Sequence, residues 1–568
     1  MGSMTGKAGA DQPAVAAGSN NAADTAVLDV VIVGGGFAGL YMLFRAREIG
    51  LTARLFERGA DVGGVWYWNR YPGARCDVES MQYSYSFDPT LQQEWRWSER
   101  FASQPEILKY AKHVADRFDL RRDIAFDTSV TSAHYDAENA RWDVGTDRGE
   151  CVSARFCVMA TGCLSATRLP DIAGLDSFRG KTYHTGAWPH EGVDFSGQRV
   201  GVIGTGSSGI QCIPVIAQQA ERLVVFQRTP NFSIPSRNAP MALHYERWWK
   251  EHYPELRRQA REESTSGTVY EKSTRRAHET SADDRQHEFE RRWHRGGVNF
   301  MHSFNDLMVD ERSNDTAADF VRAKIRATVT DPAVAELLCP KDHPIGSKRI
   351  CVDTDYHQTF NRDNVELVDL RKSPIERLTE TGLQTRDAHF ELDSLVFATG
   401  YDAMTGALSR IDIRGRGGHG LAAKWEGGPK TYLGLMTAGF PNLFTVTGPG
   451  SPSVLAQMIF AIEQHVDWIV GCLKSMRERG VETIEAEAAA EDAWVAHVNE
   501  VADGTLFPRA NSWYVGANIP GKARVFMPYA GGVVSYRQKI EAVAANGYEG
   551  FRLAAGRAEA KAAAAGRS

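Results

Sequence analysis

One local pattern occurs twice in this chain, and few folds admit it. Val27-Leu28-Asp29-Val30-Val31-Ile32-Val33 is a short β-branched run that leads into Gly34-Gly35-Gly36-Phe37-Ala38-Gly39 and then a helical pattern through Ile49. Arg199-Val200-Gly201-Val202-Ile203 leads into Gly204-Thr205-Gly206-Ser207-Ser208-Gly209 and an apolar helical stretch to Ala217. Each copy reads strand, glycine turn, helix, which opens a dinucleotide-binding unit. The first glycine of each turn (Gly34, Gly204) permits the bend. The second (Gly36, Gly206) lets the backbone approach a pyrophosphate, and the third (Gly39, Gly209) lets the helix close on the strand. The helix N-terminus then offers N–H groups to the anion. The pattern predicts an α/β chain with two Rossmann-like units.

The end of the following strand says which nucleotide each turn takes. After the first turn, Ala53-Arg54-Leu55-Phe56 ends at Glu57, eighteen residues past Gly39. A carboxylate there grips ribose hydroxyls, which suits FAD. After the second, Leu223-Val224-Val225-Phe226 ends with Gln227 at the same offset, and Arg228 and Thr229 follow. A carboxylate would repel a 2′-phosphate, whereas a guanidinium binds it in a fork. The second site therefore suits NADPH. Two such sites imply hydride transfer from nicotinamide to flavin. The eight cysteines include no Cys-x-x-Cys pair to take the electrons onward or to hold zinc, so no metal site is expected and oxygen is the expected acceptor.

The rest of the chain bounds the partners. A net charge of -6 spread over 568 residues leaves no basic footprint for nucleic acid. No apolar run is long enough to span a bilayer, and the first residues lack a signal-peptide core. These features predict a cytoplasmic protein with reduced thiols, a small-molecule substrate and no obligate protein partner. Residues 1–26 and 554–568 are Ala-rich and expected to be mobile tails, with Met1-Gly2-Ser3 resembling an expression scar. Residues 235–339 are charged with aromatics at helical spacing, as in Glu288-Phe289-Glu290-Arg291-Arg292-Trp293, and predict a helical insertion. The charge run from Glu246 to Glu263 is expected to be a solvated helix face. The expected FAD unit is then 27–165 with 386–553, and the expected NADPH unit 166–234 with 340–385.

Three stretches resemble the type I Baeyer–Villiger monooxygenases. Phe178-Arg179-Gly180-Lys181-Thr182-Tyr183-His184-Thr185-Gly186-Ala187-Trp188-Pro189 fits the family fingerprint F-x-G-x-x-x-H-x-x-x-W-P at every fixed position. Gly63-Gly64-Val65-Trp66-Tyr67-Trp68-Asn69-Arg70-Tyr71-Pro72-Gly73-Ala74-Arg75-Cys76-Asp77 is the longer motif, and Gly346-Ser347-Lys348-Arg349 is the third. Asn511-Ser512-Trp513-Tyr514 and Gly448-Pro449-Gly450-Ser451-Pro452-Ser453 look most like the phenylacetone and steroid monooxygenase branch. The resemblance implies that oxygen adds to reduced flavin, that the resulting C4a-peroxide attacks a ketone through a Criegee-type adduct, and that an ester or lactone forms, with sulfoxidation as a side activity. Related enzymes that oxygenate nitrogen or sulfur lack the Trp-Pro ending, and a non-catalytic nucleotide sensor would need no cation beside the flavin.

The same resemblance implies roles. Arg349 is the expected catalytic cation, a permanent charge that steadies developing negative charge, with Asp77 orienting it. Asp77 could instead cap a helix at Val78-Glu79-Ser80. Gly64, Val65, Trp66, Asp77 and Tyr83 are expected around FAD. Thr205, Ser207, Ser208, Arg228, Thr229, Lys348 and Arg349 are expected around NADPH, whose oxidised form stays bound during oxygenation. Val78, Cys163, Leu164, Ser453, Val454, Leu455, Met458 and Trp513 are expected to line a pocket for aryl-alkyl, cyclic or steroid-like ketones, Trp513 from a mobile lid. His184 and Trp188 are expected to position and couple the units, or His184 to be a satisfied structural histidine.

Overall fold

The strand Leu28–Val33 buries Val30, Val31 and Ile32 completely, so both faces of the sheet it belongs to are covered. In the computed structural model, which describes residues 27–555, it pairs in parallel with Ala53–Phe56 on one edge and with Cys151–Met159 on the other. Cys151–Met159 divides its remaining edge. Residues 151–154 pair antiparallel with Arg141–Thr146, and residues 157–159 pair in parallel with Leu443–Thr445. Val130–Asp136, Asp412–Arg414 and Ile124–Ala125 complete eight strands. The helices Phe37–Glu48, Gln104–Arg117 and Met458–Glu478 pack their apolar sides on this sheet to form the largest core.

The second sheet is wholly parallel, in the order Val365–Asp369, Arg222–Gln227, Arg199–Ile203, Ser394–Phe397, Lys181–His184. Ser394–Phe397 lies inside it, hydrogen-bonded on both edges. The second unit therefore runs past residue 385, and the expected boundary at 385/386 has to move to about residue 398. The correction has a plain cause: Ser-Leu-Val-Phe is a buried run with no mark of which sheet it joins.

Residues 235–339 contain the helices Leu243–Glu262, Ala282–Arg295, Glu311–Thr328 and Pro332–Leu338. They straddle the two units. Trp249, Tyr253 and Leu256 pack on the first core, while Phe289, Phe300 and Phe320 stack in the second. The charge run on the first helix is only partly solvated, since Glu246 is buried and accepts two hydrogen bonds from Arg96. The expected tail at 1–26 lies outside the described residues, as do residues 556–568. Ala554 and Ala555, expected in the C-terminal tail, instead finish the strand Phe551–Ala555, which pairs with Val481–Ala486. No helix among the described residues is long and apolar enough to cross a membrane.

Candidate active site

The first glycine turn is built as a cradle. Gly34 has φ +106°, and a Cβ there would meet the Ala160 carbonyl oxygen at 2.7 Å. Gly36 faces Gly64, where a Cβ would come within 2.9 Å of the Gly36 Cα. A Cβ on Gly39 would fall 1.8 Å from Gly34 O, so only glycine lets the helix sit this close. Phe37–Glu48 begins at Gly36 with no side-chain cap and no acid in its first turn. Its leading N–H groups are thus left for an external acceptor. Glu57, buried, accepts from Gly35 N at 2.5 Å and Gly59 N at 2.7 Å. Burial raises its carboxyl pKa while these two N–H groups lower it. Each oxygen keeps a lone pair for a ribose hydroxyl, and the turn gains a brace that its sequence does not announce. Val65–Trp68 is a short helix beneath it. Trp66 Nε1 donates to Tyr83 Oη at 3.0 Å, and Tyr83 meets Phe37 edge-on at 6.0 Å. The geometry fits FAD.

The second turn repeats the design with one difference. A Cβ on Gly204 (φ +109°) would meet Ala398 O at 2.5 Å, and one on Gly209 would meet Gly204 O at 2.2 Å. A Cβ on Gly206 would meet nothing within 4 Å, so the backbone there faces open space. Ser207–Gln219 also starts uncapped and without a first-turn acid. Thr205 Oγ1 donates to Thr229 O at 3.0 Å, and Ser207 Oγ lies 3.3 Å from Cys351 Sγ. Ser208 and Gly209 continue the first helical turn. Arg228 is exposed at the end of Arg222–Gln227. Half-buried Lys348 has its ammonium pKa lowered by burial and by the charge of Arg228, with Asp342 opposing. Two neighbouring cations beside an open helix N-terminus fit a phosphorylated nucleotide such as NADPH.

Arg349 joins both units. Its Nε and Nη2 donate to Asp77 Oδ2 at 3.2 and 3.1 Å, and its Nη1 donates to Val454 O at 2.9 Å. Burial pulls the guanidinium pKa down, but Asp77 foremost, with Tyr514 and Cys76, more than offsets this and holds it above the ordinary value, so the charge is fixed. Asp77 caps nothing: residues 77–78 form a bend, 80–82 a turn, and no helix starts there. Six of the eight expected pocket residues, Cys163, Leu164, Val454, Leu455, Met458 and Trp513, share one apolar cluster with Met404, Tyr514, Phe526 and Met527. Val78 belongs instead to the main core. Ser453 is buried beside the cluster with its Oγ turned to Thr447 O at 3.0 Å.

Tyr514 is the residue that the sequence reading passed over. It is buried, and its hydroxyl is pushed up to about 12 by burial, with the Arg349 guanidinium opposing. Trp513 and Tyr514 stand in contact at 4.4 Å between ring centres, and adjacency alone did not tell which ring faces the cation. Tyr270, from the insertion, also lies within the field of Arg349.

His184 ends the strand Lys181–His184, buried, with Nδ1 accepting from Gly186 N at 3.0 Å. Its Nε2 and the Tyr401 hydroxyl find no partner among the described residues, and burial lowers the imidazole pKa. It is therefore half-satisfied rather than satisfied. Trp188 is buried against Tyr183, and its backbone N–H donates to Trp68 O at 3.3 Å, tying the fingerprint to the flavin-side motif.

Residues 28–280 match the flavin-binding monooxygenase-like family. A Baeyer–Villiger monooxygenase of Pseudooceanicola batsensis is 44% identical over 92% of this chain and 95% of its own length. A phenazine N-monooxygenase of Lysobacter antibioticus is 42% identical over 93% and 98%. A solved steroid monooxygenase bound to NADP is 55% identical, covers 94% of this chain and 100% of its own, and superposes with a TM-score of 0.90.

Proposed function

Because this chain belongs to the type I Baeyer–Villiger monooxygenases, FAD- and NADPH-dependent enzymes that use O2 to turn ketones into esters or lactones, we propose that Arg349 is its catalytic cation and that its preferred ketones are bulky and apolar. The observation that carries this is a fixed guanidinium, braced by Asp77 and Val454, beside an apolar cluster. We assign FAD to the turn at Gly34–Gly39 with Glu57, and NADPH to the turn at Gly204–Gly209 with Arg228 and Lys348.

When bound and reduced by NADPH, the flavin supplies the oxygen chemistry. The protein supplies charge, orientation and dryness. Arg349 meets the ketone oxygen as negative charge develops on it, and its interaction strengthens toward the transition state. Asp77 keeps the fork aimed and keeps it charged. The hydroxyl of Tyr514 stays protonated throughout the working range and is available as a donor. Met404, Leu455, Met458, Trp513 and Phe526 keep water away. A cluster of this composition favours aryl-alkyl, cyclic and steroid-like ketones over small ones, in line with the steroid monooxygenase it superposes on. Eight unpaired cysteines, seven of them buried, support a reducing, cytoplasmic location.

The test is a substrate panel with the purified holoenzyme under isotopically heavy O2. It includes acyclic, cyclic and steroid ketones, a thioether and a phenazine. The reading expects esters or lactones carrying one heavy oxygen per NADPH consumed, with the larger ketones turned over best. Efficient N-oxidation with no ester from any ketone would overturn it in favour of the phenazine-type reaction.

A further inference from the structure

The third hydrogen bond of Arg349 goes to a turn that is itself held from behind. Val454, the acceptor, follows Ser453 (φ 41°), and the turn starts at Thr447 (φ 55°). Both are buried residues with side chains in the left-handed region, a costly conformation that persists only where the surroundings impose it. Ser453 Oγ donates to Thr447 O at 3.0 Å and closes the turn on itself. The N–H of Thr447 donates outward to His465 Nδ1 at 3.0 Å. His465 Nε2 lies 2.8 Å from Tyr536 Oη, and the Tyr536 hydroxyl donates to Leu433 O at 2.5 Å. Leu433 is another left-handed residue, at φ 59°.

The proton positions follow from this order. Tyr536 has one hydroxyl proton and spends it on Leu433, so its oxygen accepts from His465 Nε2–H. Nδ1 is then bare, and is the acceptor that Thr447 N–H requires. His465 and Tyr536 are completely buried, and burial pushes the imidazole down to about 3, with the Thr445 carbonyl opposing. The ring is neutral at any working pH, and its tautomer is set by its neighbours. Tyr536 packs in the main core and not in the apolar cluster beside Arg349.

We propose that His465 is a positioning residue for ketone oxygenation: with Tyr536 it fixes the Thr447–Val454 turn in the strained form whose Val454 carbonyl holds the Arg349 guanidinium. This rests on the reading of Arg349 given above. An apolar residue would fill the same space but would leave Thr447 N–H buried and unpaired, and the turn would relax to satisfy it.

Three holoenzyme variants test the idea. His465→Leu removes the acceptor, His465→Asn restores an oxygen near the place of Nδ1, and Tyr536→Phe deletes one hydroxyl. Three quantities are read: amide hydrogen exchange across residues 447–456, the rate of flavin reduction by NADPH, and ester formed per NADPH. His465→Leu should speed exchange in the turn and lower the ester yield by roughly fivefold or more, the effect expected of one unpaired buried N–H. Flavin content and reduction rate should stay as in the wild type. His465→Asn should recover most of the yield, and Tyr536→Phe should move it in the same direction as His465→Leu, carrying the test alone if His465→Leu does not fold.

Wild-type protection of the turn in His465→Leu overturns the proposal. So does a loosened turn with undiminished yield, and Arg349→Ala made in parallel shows where that fault lies: full yield there too puts it in the reading of Arg349, lost yield puts it in the link from the turn. Loss of flavin, reduction and yield together, unrescued by His465→Asn, assigns His465 to packing alone and also overturns the proposal.

Discussion

Arg349 places two nitrogens, Nε and Nη2, on a single oxygen of Asp77, at 3.2 and 3.1 Å, and sends the third to Val454 O. Two bonds converging on one oxygen and a third to a separate carbonyl need a planar fork, which a lysine does not have. Arg349→Ala is expected to abolish ester formation, by about 100-fold or more, while NADPH oxidation continues and releases hydrogen peroxide. Arg349→Lys should recover only a small part. Product yield and peroxide measured against NADPH consumed settle the point, and near wild-type ester yield in Arg349→Ala would remove Arg349 from the chemistry.

Gly206 and Gly209 stand three residues apart and should fail differently. Gly206 has φ −84°, open to any residue, and its added Cβ meets only empty space. Gly206→Ala should therefore melt like the wild type and retain flavin, while its KM for NADPH rises about tenfold or more. Gly209→Ala drives a Cβ to 2.2 Å from the Gly204 carbonyl and should lose roughly 1–3 kcal/mol of stability. Thermal unfolding and NADPH kinetics on the two variants check this, and a normal KM in Gly206→Ala would mean that no nucleotide approaches there.

The response to pH follows from Lys348. Its pKa lies below that of an ordinary lysine through burial, with Asp342 opposing and Arg228 adding to the depression. The charged form binds phosphate, so affinity is full below the lowered pKa and declines as pH rises through it. KM for NADPH should climb in the alkaline range by at most about tenfold per pH unit, and KM for NADH should not. Lys348→Met should flatten that rise and weaken NADPH binding at neutral pH by roughly tenfold. Parallel slopes for the two nucleotides would take Lys348 out of the phosphate site.

Lys522 ties the segment that carries Trp513 and Tyr514 to the chain crossing between the units. Its Nζ reaches Asp402 Oδ1 at 2.6 Å and Ala403 O at 2.7 Å, and Asn518 Nδ2 reaches Tyr401 O at 2.7 Å. Such a pair, mostly shielded, contributes about 1 kcal/mol, or about fivefold in how often the segment lifts. Lys522→Met should raise peroxide release by a few fold and leave flavin reduction unchanged. An unaltered ratio of product to peroxide would show that this contact does not hold the segment down.

Much of this is legible in the sequence. The glycine turns have no substitute at Gly34, Gly39, Gly204 and Gly209, because backbone already occupies the space, so sequence alone marks them. Glu57 and Arg228 stand at fixed offsets from those turns, which rigid strands preserve. Arg349 and Asp77 were different: 272 residues separate them, and only the family resemblance named them together. What stayed hidden had no local mark. Nothing in Ser394–Phe397 says which sheet it enters. Tyr514 sits beside an equally aromatic neighbour in a turn without periodicity. His465 lies on a helix whose buried residues, Glu463 apart, are otherwise apolar, so its two hydrogen bonds could not be foreseen from spacing.

The first sheet takes its edge strand Asp412–Arg414 and the strand Leu443–Thr445, which covers residues 157–159, from the last third of the chain. Ser394–Phe397, inside the second sheet, also emerges late. Neither nucleotide-binding unit can therefore be finished on the ribosome before the other is well advanced. At about 5–20 residues per second, the N-terminal strand and its glycine turn wait tens of seconds for Leu443–Thr445 to arrive. During that interval residues 157–159 of the strand Cys151–Met159 keep one edge bare to any passing strand, which makes holding it apart a task for chaperones and makes slower translation a lever on yield.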